Sequence, residues 1–233
     1  MSADESFIER MTHWQASAMQ ATGAWAERRR LAAAMRAVID RLVQIDAPER
    51  ELAAAADALE RYADRLAEHP RSHRYETWAE TSPAGDAGAF FDQSPLIGLA
   101  NPLAPPIRVE ADPDGKHVHG HVTFGAAYEG PPGCVHGGVV AAAFDEVLGF
   151  ANSLSGNPGM TGTLTVRYRL PTPLHTPLRF EARFDRAEGR KIFTSGEVFA
   201  EDARTAEAEG IFISVDREKF RALHEQRQLR DPS

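Results

Sequence analysis

Apolar and polar positions recur with two different periods along this chain, and the change falls near residue 90. From Trp25 onward, Leu31, Met35, Val38, Leu42 and Ile45 follow one another at three- and four-residue steps, the spacing of one helical face. A second helix is predicted from Asp46-Ala47-Pro48, where Asp46 can cap orphan N–H groups and Pro48 is tolerated in the first turn. Leu52, Leu59, Tyr62 and Leu66 make its apolar stripe, and it stops near His69-Pro70. Arg71 to Gly88, with Ser72, Ser82, Pro83, Gly85 and Gly88, holds no sustained period and reads as a linker. The run Arg28-Arg29-Arg30, with acidic residues around it, reads as a solvated helix face.

Beyond residue 90 the pattern shortens to strands. Ile107 to Ala111 and Lys116 to Phe124 flank Asp112-Pro113-Asp114-Gly115, a turn-forming sequence, and are predicted to pair as a hairpin. After a Pro/Gly loop, Gly137 to Ser153 is helical, with Val140, Phe144, Val147, Leu148 and Ala151 on one apolar face. Strands then return over Thr161 to Leu170, Leu178 to Arg186, Lys191 to Ala200 and Thr205 to Val215, with a polar helix expected from Arg217 to Leu229. One helix among antiparallel strands is not a βαβ array, so the class is α+β. The expected organisation is a helical extension with linker over 1–85, an α+β domain over 86–216 and a helical tail over 217–233.

Composition narrows the partners. A net charge of −8 and a pI near 5.6 argue against nucleic acid or an anionic membrane, since phosphate binding relies on clustered Lys and Arg. No stretch reaches eighteen consecutive apolar residues, and Met1-Ser2-Ala3-Asp4-Glu5 lacks the basic-then-apolar pattern of a secretory signal, so no membrane insertion and a cytoplasmic location are expected. Cys134 is the single cysteine, which excludes an intrachain disulfide and a cysteine zinc cluster.

The chemistry concentrates at Gly130-Pro131-Pro132-Gly133-Cys134-Val135-His136-Gly137-Gly138, which runs into the apolar helix. Helix N-terminal amides lack internal partners and sit at the positive end of the macrodipole, so they suit a developing oxyanion. Asp145 follows Gly138 by seven residues, two turns, which puts it on nearly the same face but ~10 Å further along. One chain does not easily bring both to one carbonyl. Two such helices antiparallel about a twofold axis do, each setting its Asp145 beside the other's Gly138, and a homodimer or dimer of dimers is expected. Glu146, about 100° away around the helix, is the second choice of carboxylate. His117, His119 and His121 share one strand face and suggest solvated side chains rather than a metal site. Cys134 near His136 is not assigned a nucleophilic role.

These residues carry a resemblance. His136 to Glu146 resembles the His-Gly-Gly helix of hotdog-fold thioesterases of the phenylacetate-pathway (PaaI) and thioesterase-superfamily type. The likeness extends over Ser94 to Asp216 through Asn101-Pro102, the loop Tyr128 to Gly133, the strand Leu164 to Arg169 ending at Pro171, and Glu188-Gly189-Arg190-Lys191. It implies an antiparallel sheet wrapped around a central helix, and hydrolysis of acyl-CoA without metal or cofactor. It also implies roles. Asp145 would be nucleophile or base, the Gly138 amide would polarise the thioester carbonyl, and His136 would bind near that carbonyl or shape the loop beside Gly137. Thr161 matches a hydroxyl residue that orients water, with Thr163 as fallback. Gly189, Arg190 and Lys191 match the CoA contact, Gly137 is expected to bind the ligand with them, and Arg167 and Arg169 are weaker candidates. The competing functions are an acyl-CoA-binding dimer without catalysis, and an enoyl-CoA hydratase.

Overall fold

The computed structural model describes residues 21–69, 91–157 and 159–214. Two helices, α1 (Gly23–Leu42) and α2 (Glu49–Ala67), precede strands β1 (Arg108–Ala111) and β2 (His117–Val122). A 3-10 turn at Ala126–Tyr128 then leads to helix α3 (Gly137–Ser153), followed by β3 (Gly159–Tyr168), β4 (Leu178–Glu188), β5 (Lys191–Ala200) and β6 (Ala203–Ser214). The strands form one antiparallel six-stranded sheet in the order β1-β2-β4-β5-β6-β3. The α+β expectation holds, and α3 has the predicted ends.

Helix α3 lies across this sheet, touching every strand, because its stripe of Val140, Phe144, Val147, Leu148 and Ala151 has nowhere else to go and is fully buried there. Burying each such large side chain contributes roughly 1.5–3 kcal/mol. Phe144 meets Phe180 of β4 edge-on, at 5.1 Å between ring centroids. Two strand glycines let the helix approach. A Cβ at Gly120 would fall 2.9 Å from Val147 Cγ2, and one at Gly196 would fall 3.2 Å from Leu148 Cδ2. The alternation in β2, with Val118, Gly120 and Val122 inward and the three histidines outward, is as the sequence implies.

Three local expectations are corrected. Asp46 does not cap α2: Pro48 holds the N-cap position with no side-chain cap, and its carbonyl accepts from Glu51 and Leu52 instead. Strand β3 starts two residues early, at Gly159, because the buried Asn152 side chain pairs with both backbone groups of Gly159. It ends at Tyr168, where the amides of Arg169 and Leu170 converge on the Thr205 carbonyl. Arg29 is not a solvated charge. Its Nε donates to both oxygens of Asp92, which is 1% exposed, and its guanidinium lies 4.6 Å from the Trp25 ring centroid. The linker and the expected C-terminal helix lie outside the described residues.

Helix α1 therefore docks through polar contacts. Trp25 Nε1 joins Arg29 on Asp92, at 2.5 Å, and Arg36 donates to the carbonyls of Leu99 and Asn101. Asp40 Oδ1 occupies the space that a Cβ at Gly125 would need.

Candidate active site

The loop before α3 is held by its own backbone. Gly130 donates to the Cys134 carbonyl, Gly133 donates to Glu129 Oε1 at 2.6 Å, and His136 donates to the Tyr128 carbonyl at 2.9 Å. Gly133 has φ +72°, in the left-handed region that glycine enters without penalty, and a Cβ at Gly130 would fall 2.7 Å from His136 Cα. This packing delivers His136 as the N-cap of α3, with Nδ1 accepting from the Gly138 amide at 3.0 Å. Nδ1 must be unprotonated to accept. The Gly138 amide is thus not open: its N–H is taken by the imidazole of the same loop.

Tyr168, at the far end of β3, is a residue the sequence reading passed over. Its hydroxyl donates to the Gly137 carbonyl at 2.7 Å, and its ring lies against Gly137, 3.4 Å from where a Cβ would stand. Gly137 C=O and Gly138 N–H belong to one peptide unit. A donor on that oxygen fixes the plane of the unit, aims its N–H and polarises it. Only a tyrosine in a strand already matched to the family hinted at this, because nothing in strand alternation predicts a contact to a helix end.

Two turns along α3, the partly buried Asp145 accepts from Thr161 Oγ1 at 2.8 Å. Thr161, expected to orient a water, gives its hydroxyl to the carboxylate itself. A β-bulge between Thr161 and Thr163 shifts the register there, and Gly162 fills it: a Cβ would fall 2.9 Å from Ile213 Cγ1. The Asn152–Gly159 pairing anchors the strand start below the helix, so Thr161 rather than Thr163 meets Asp145. Beside them, burial in α3 pushes the Glu146 carboxyl up to about 7, and the neighbouring Asp145 charge adds to the effect.

The basic candidates differ from one another. Gly189, at φ +58°, makes the turn between β4 and β5, and Lys191 is exposed. Arg190 donates to the Ser214 carbonyl through Nε and one terminal nitrogen. Ile192, Phe212 and Thr161 lie in one row across β5, β6 and β3, so this turn, next to Ile192, sits about two strand spacings, roughly 10 Å, from Thr161. Arg167 and Arg169 share a face, but their charges go to Glu209 and Glu207. The strand histidines do find acids, which come from the preceding turn: His117 bonds Asp114 and His119 bonds Asp112. Asp114 also accepts from the Lys116 and His117 amides, which hold its carboxyl at about 2, led by the Lys116 amide. That is turn capping by exposed groups. The Cys134 thiol donates weakly to the Pro132 carbonyl.

An antiparallel sheet wrapped on one helix that opens with His-Gly-Gly and carries a held carboxylate two turns on defines a hotdog-fold protein. Comparison with known proteins carries this further. The profile of the thioesterase superfamily matches residues 132–207. A crystal structure of a thioesterase superfamily protein is 36% identical, covers 80% of this chain and 94% of its own, and superposes with a TM-score of 0.69. Acyl-coenzyme A thioesterase THEM4 of Bos taurus is 38% identical over 41% of this chain and 40% of its own length. Acyl-coenzyme A thioesterase THEM5 of Homo sapiens is 30% identical over 41% of this chain and 39% of its own. The match thus spans about two fifths of the length of these curated relatives. The chain belongs to the thioesterase superfamily. Among the described residues no helix is long and apolar enough to cross a membrane.

Proposed function

We propose that this chain is a homodimeric hydrolase of acyl-CoA thioesters, of the PaaI type. The observation that carries the reading is the hydrogen bond from Thr161 to Asp145 across the start of an edge strand, which makes Asp145 a positioned carboxylate rather than a solvated one. The names of the curated relatives supply the substrate class. In the reaction, Asp145 takes a proton from water as the oxygen attacks the thioester carbon. The carbonyl oxygen gains negative charge at the Gly138 amide, and the C–S bond breaks to leave a carboxylic acid and the thiol of CoA. Direct attack by Asp145, through an anhydride that water then opens, ends at the same products. Water is the only co-reactant, so neither metal nor redox cofactor is needed. Lys191 with Arg190 and Gly189 receives the CoA phosphates, Arg190 turning from its carbonyl partner.

Two copies complete the site. Strand β3 has no neighbour on its outer side among the described residues, and Met160 and Tyr168 on it are more than half exposed. Pairing β3 with its copy closes that edge and sets the two α3 helices side by side, each Asp145 toward the other's Gly137-Gly138. The test is complementation. Asp145→Asn alone should lower turnover by roughly 10²–10⁴. His136→Ala and Asp145→Ala chains, each nearly inactive, should regain about a quarter of wild-type activity per chain when co-refolded, because half the dimers then hold one intact site. A mixture that stays inactive, although mass analysis finds heterodimers, rules out the shared site; near-normal turnover in Asp145→Asn rules out the carboxylate.

A further inference from the structure

Helices α1 and α2 carry apolar stripes that nothing among the described residues covers. In α1 the contacts to the domain come from Trp25, Arg29, Ala32, Arg36 and Asp40, one face at helical spacing. Leu31, Met35, Val38 and Leu42 fall about 100° or more around the helix from the middle of that face, and Ile45 follows three residues past the helix end. Val38, Leu42 and Ile45 are about half exposed. This helix is docked by its polar side and presents its apolar side outward, the reverse of what burial favours. In α2 no residue is buried, and Leu52, Leu59 and Leu66 are 43%, 52% and 47% exposed. Helical stability in proteins comes mostly from packing an amphipathic face, and the stripe of this 19-residue helix is left unpacked among the described residues.

The two stripes match one another. In α1 the steps from Leu31 to Leu42 are four, three, four, and in α2 Leu52, Ala55, Leu59, Tyr62 and Leu66 step three, four, three, four. This is the spacing of a and d positions, which pack as knobs into holes on a facing helix. Their charges are complementary. The residues of α1 not turned to the domain include Arg28, Arg30 and Arg41 with Glu27, a net +2, while α2 holds Glu49, Glu51, Asp57, Glu60 and Asp64 against Arg50, Arg61 and Arg65, a net −2. An anionic lipid surface would attract the first helix and repel the second. Pairing one with the other suits both.

We infer that α1 of one copy packs its apolar stripe against α2 of a second copy of this chain. The occupant is thus the same protein. The contact also reaches the candidate site, since α1 touches Gly125 through Asp40, and the 3-10 turn beginning one residue later ends at Tyr128, whose carbonyl holds the His136 amide. The inference concerns assembly and does not depend on the thioesterase chemistry.

Val38 and Leu59 lie near the middle of the two stripes and come close in either relative direction of the helices. Two full-length proteins in a Cys134→Ser background, one Val38→Cys and one Leu59→Cys with different tags, are co-refolded and oxidised. About half of the chains, the share that random mixing places in mixed pairs, should appear as a disulfide-linked pair bearing both tags, and replacing Val38→Cys by Ala37→Cys on another face should abolish it. Absence of the two-tag pair overturns the inference, as does formation of only 38–38 and 59–59 products. It also falls if the Val38→Cys/Leu59→Cys double variant closes a disulfide within one chain while the two-tag pair does not form. Protection of both thiols by phosphatidylglycerol vesicles in place of cross-linking would assign the stripes to a lipid surface instead.

Discussion

Glu146 offers a test in which the structure sets both sign and size. It sits in the middle of α3 beside Asp145, and burial with that neighbouring charge raises its carboxyl from an ordinary value of 4.5 to about 7. Between those values the native state keeps a proton that the unfolded chain has released, so stability falls as pH rises through the window. The neutral form's contribution is fully present below about 4.5 and is lost by about 7. The shift corresponds to about 3 kcal/mol, at roughly 1.4 kcal/mol per pH unit. Glu146→Gln keeps the shape and removes the titration. Urea unfolding of both proteins from pH 4.5 to 8.5, followed by circular dichroism, should give similar stabilities at the acid end and a variant more stable by about 3 kcal/mol at the alkaline end. Other groups titrate in both proteins and cancel in the difference. A difference independent of pH would refute the argument. Turnover of the variant should stay within a few-fold of wild type, because it is Asp145, not Glu146, that Thr161 holds.

Tyr168→Phe removes the donor on the Gly137 carbonyl and leaves the ring in place; kcat should fall by about tenfold with KM little changed, and thermal unfolding should move by no more than one hydrogen bond's worth, about 1 kcal/mol. A loss of stability with kcat unchanged would mean that the tyrosine only braces the fold. Arg190→Ala with Lys191→Ala should raise KM for acyl-CoA more than it lowers kcat, and the effect should shrink at high salt as exposed charges are screened. Salt-independent kinetics of the double variant would remove the turn from the CoA site.

Much of this architecture was legible because burial is periodic. The helix from Gly137 to Ser153 was readable to the residue, since His136-Gly137-Gly138 marks its start and its buried stripe has a 3.6-residue period. Strand β5 was equally plain, with inward Ile192, Thr194, Gly196, Val198 and Ala200 in strict alternation. What was not legible involves polar groups meeting across long separations. No local rule ties Arg29 to Asp92, sixty-three residues on, or Tyr168 to Gly137. The direction in which α1 docks was also hidden: its pattern fixes an apolar face, but here the polar face carries the contact. At the site, spacing picked out Asp145 and the family likeness picked out Thr161. That the two would touch depended on a bulge at Gly162, which a strand pattern does not show.

The state of the Gly138 amide bears on how such a site stays inactive without substrate. A helix N-terminal amide left bare would be hydrated, and binding would have to strip that water. Here the bond from Gly138 to His136 Nδ1 supplies the partner from within the loop, and the same loop is fixed by Tyr128, Glu129 and the left-handed Gly133. Exchange of the imidazole for a thioester carbonyl trades one hydrogen bond for another, so its net cost is small in the ground state. The balance shifts in the transition state, when the oxygen carries charge and an amide aimed by Tyr168 interacts with it more strongly than with a neutral ring nitrogen. On the proposed mechanism His136 therefore partners the oxyanion donor until a thioester takes its place, and the amide's preference for charge over imidazole would itself be a differential between ground state and transition state that contributes to rate.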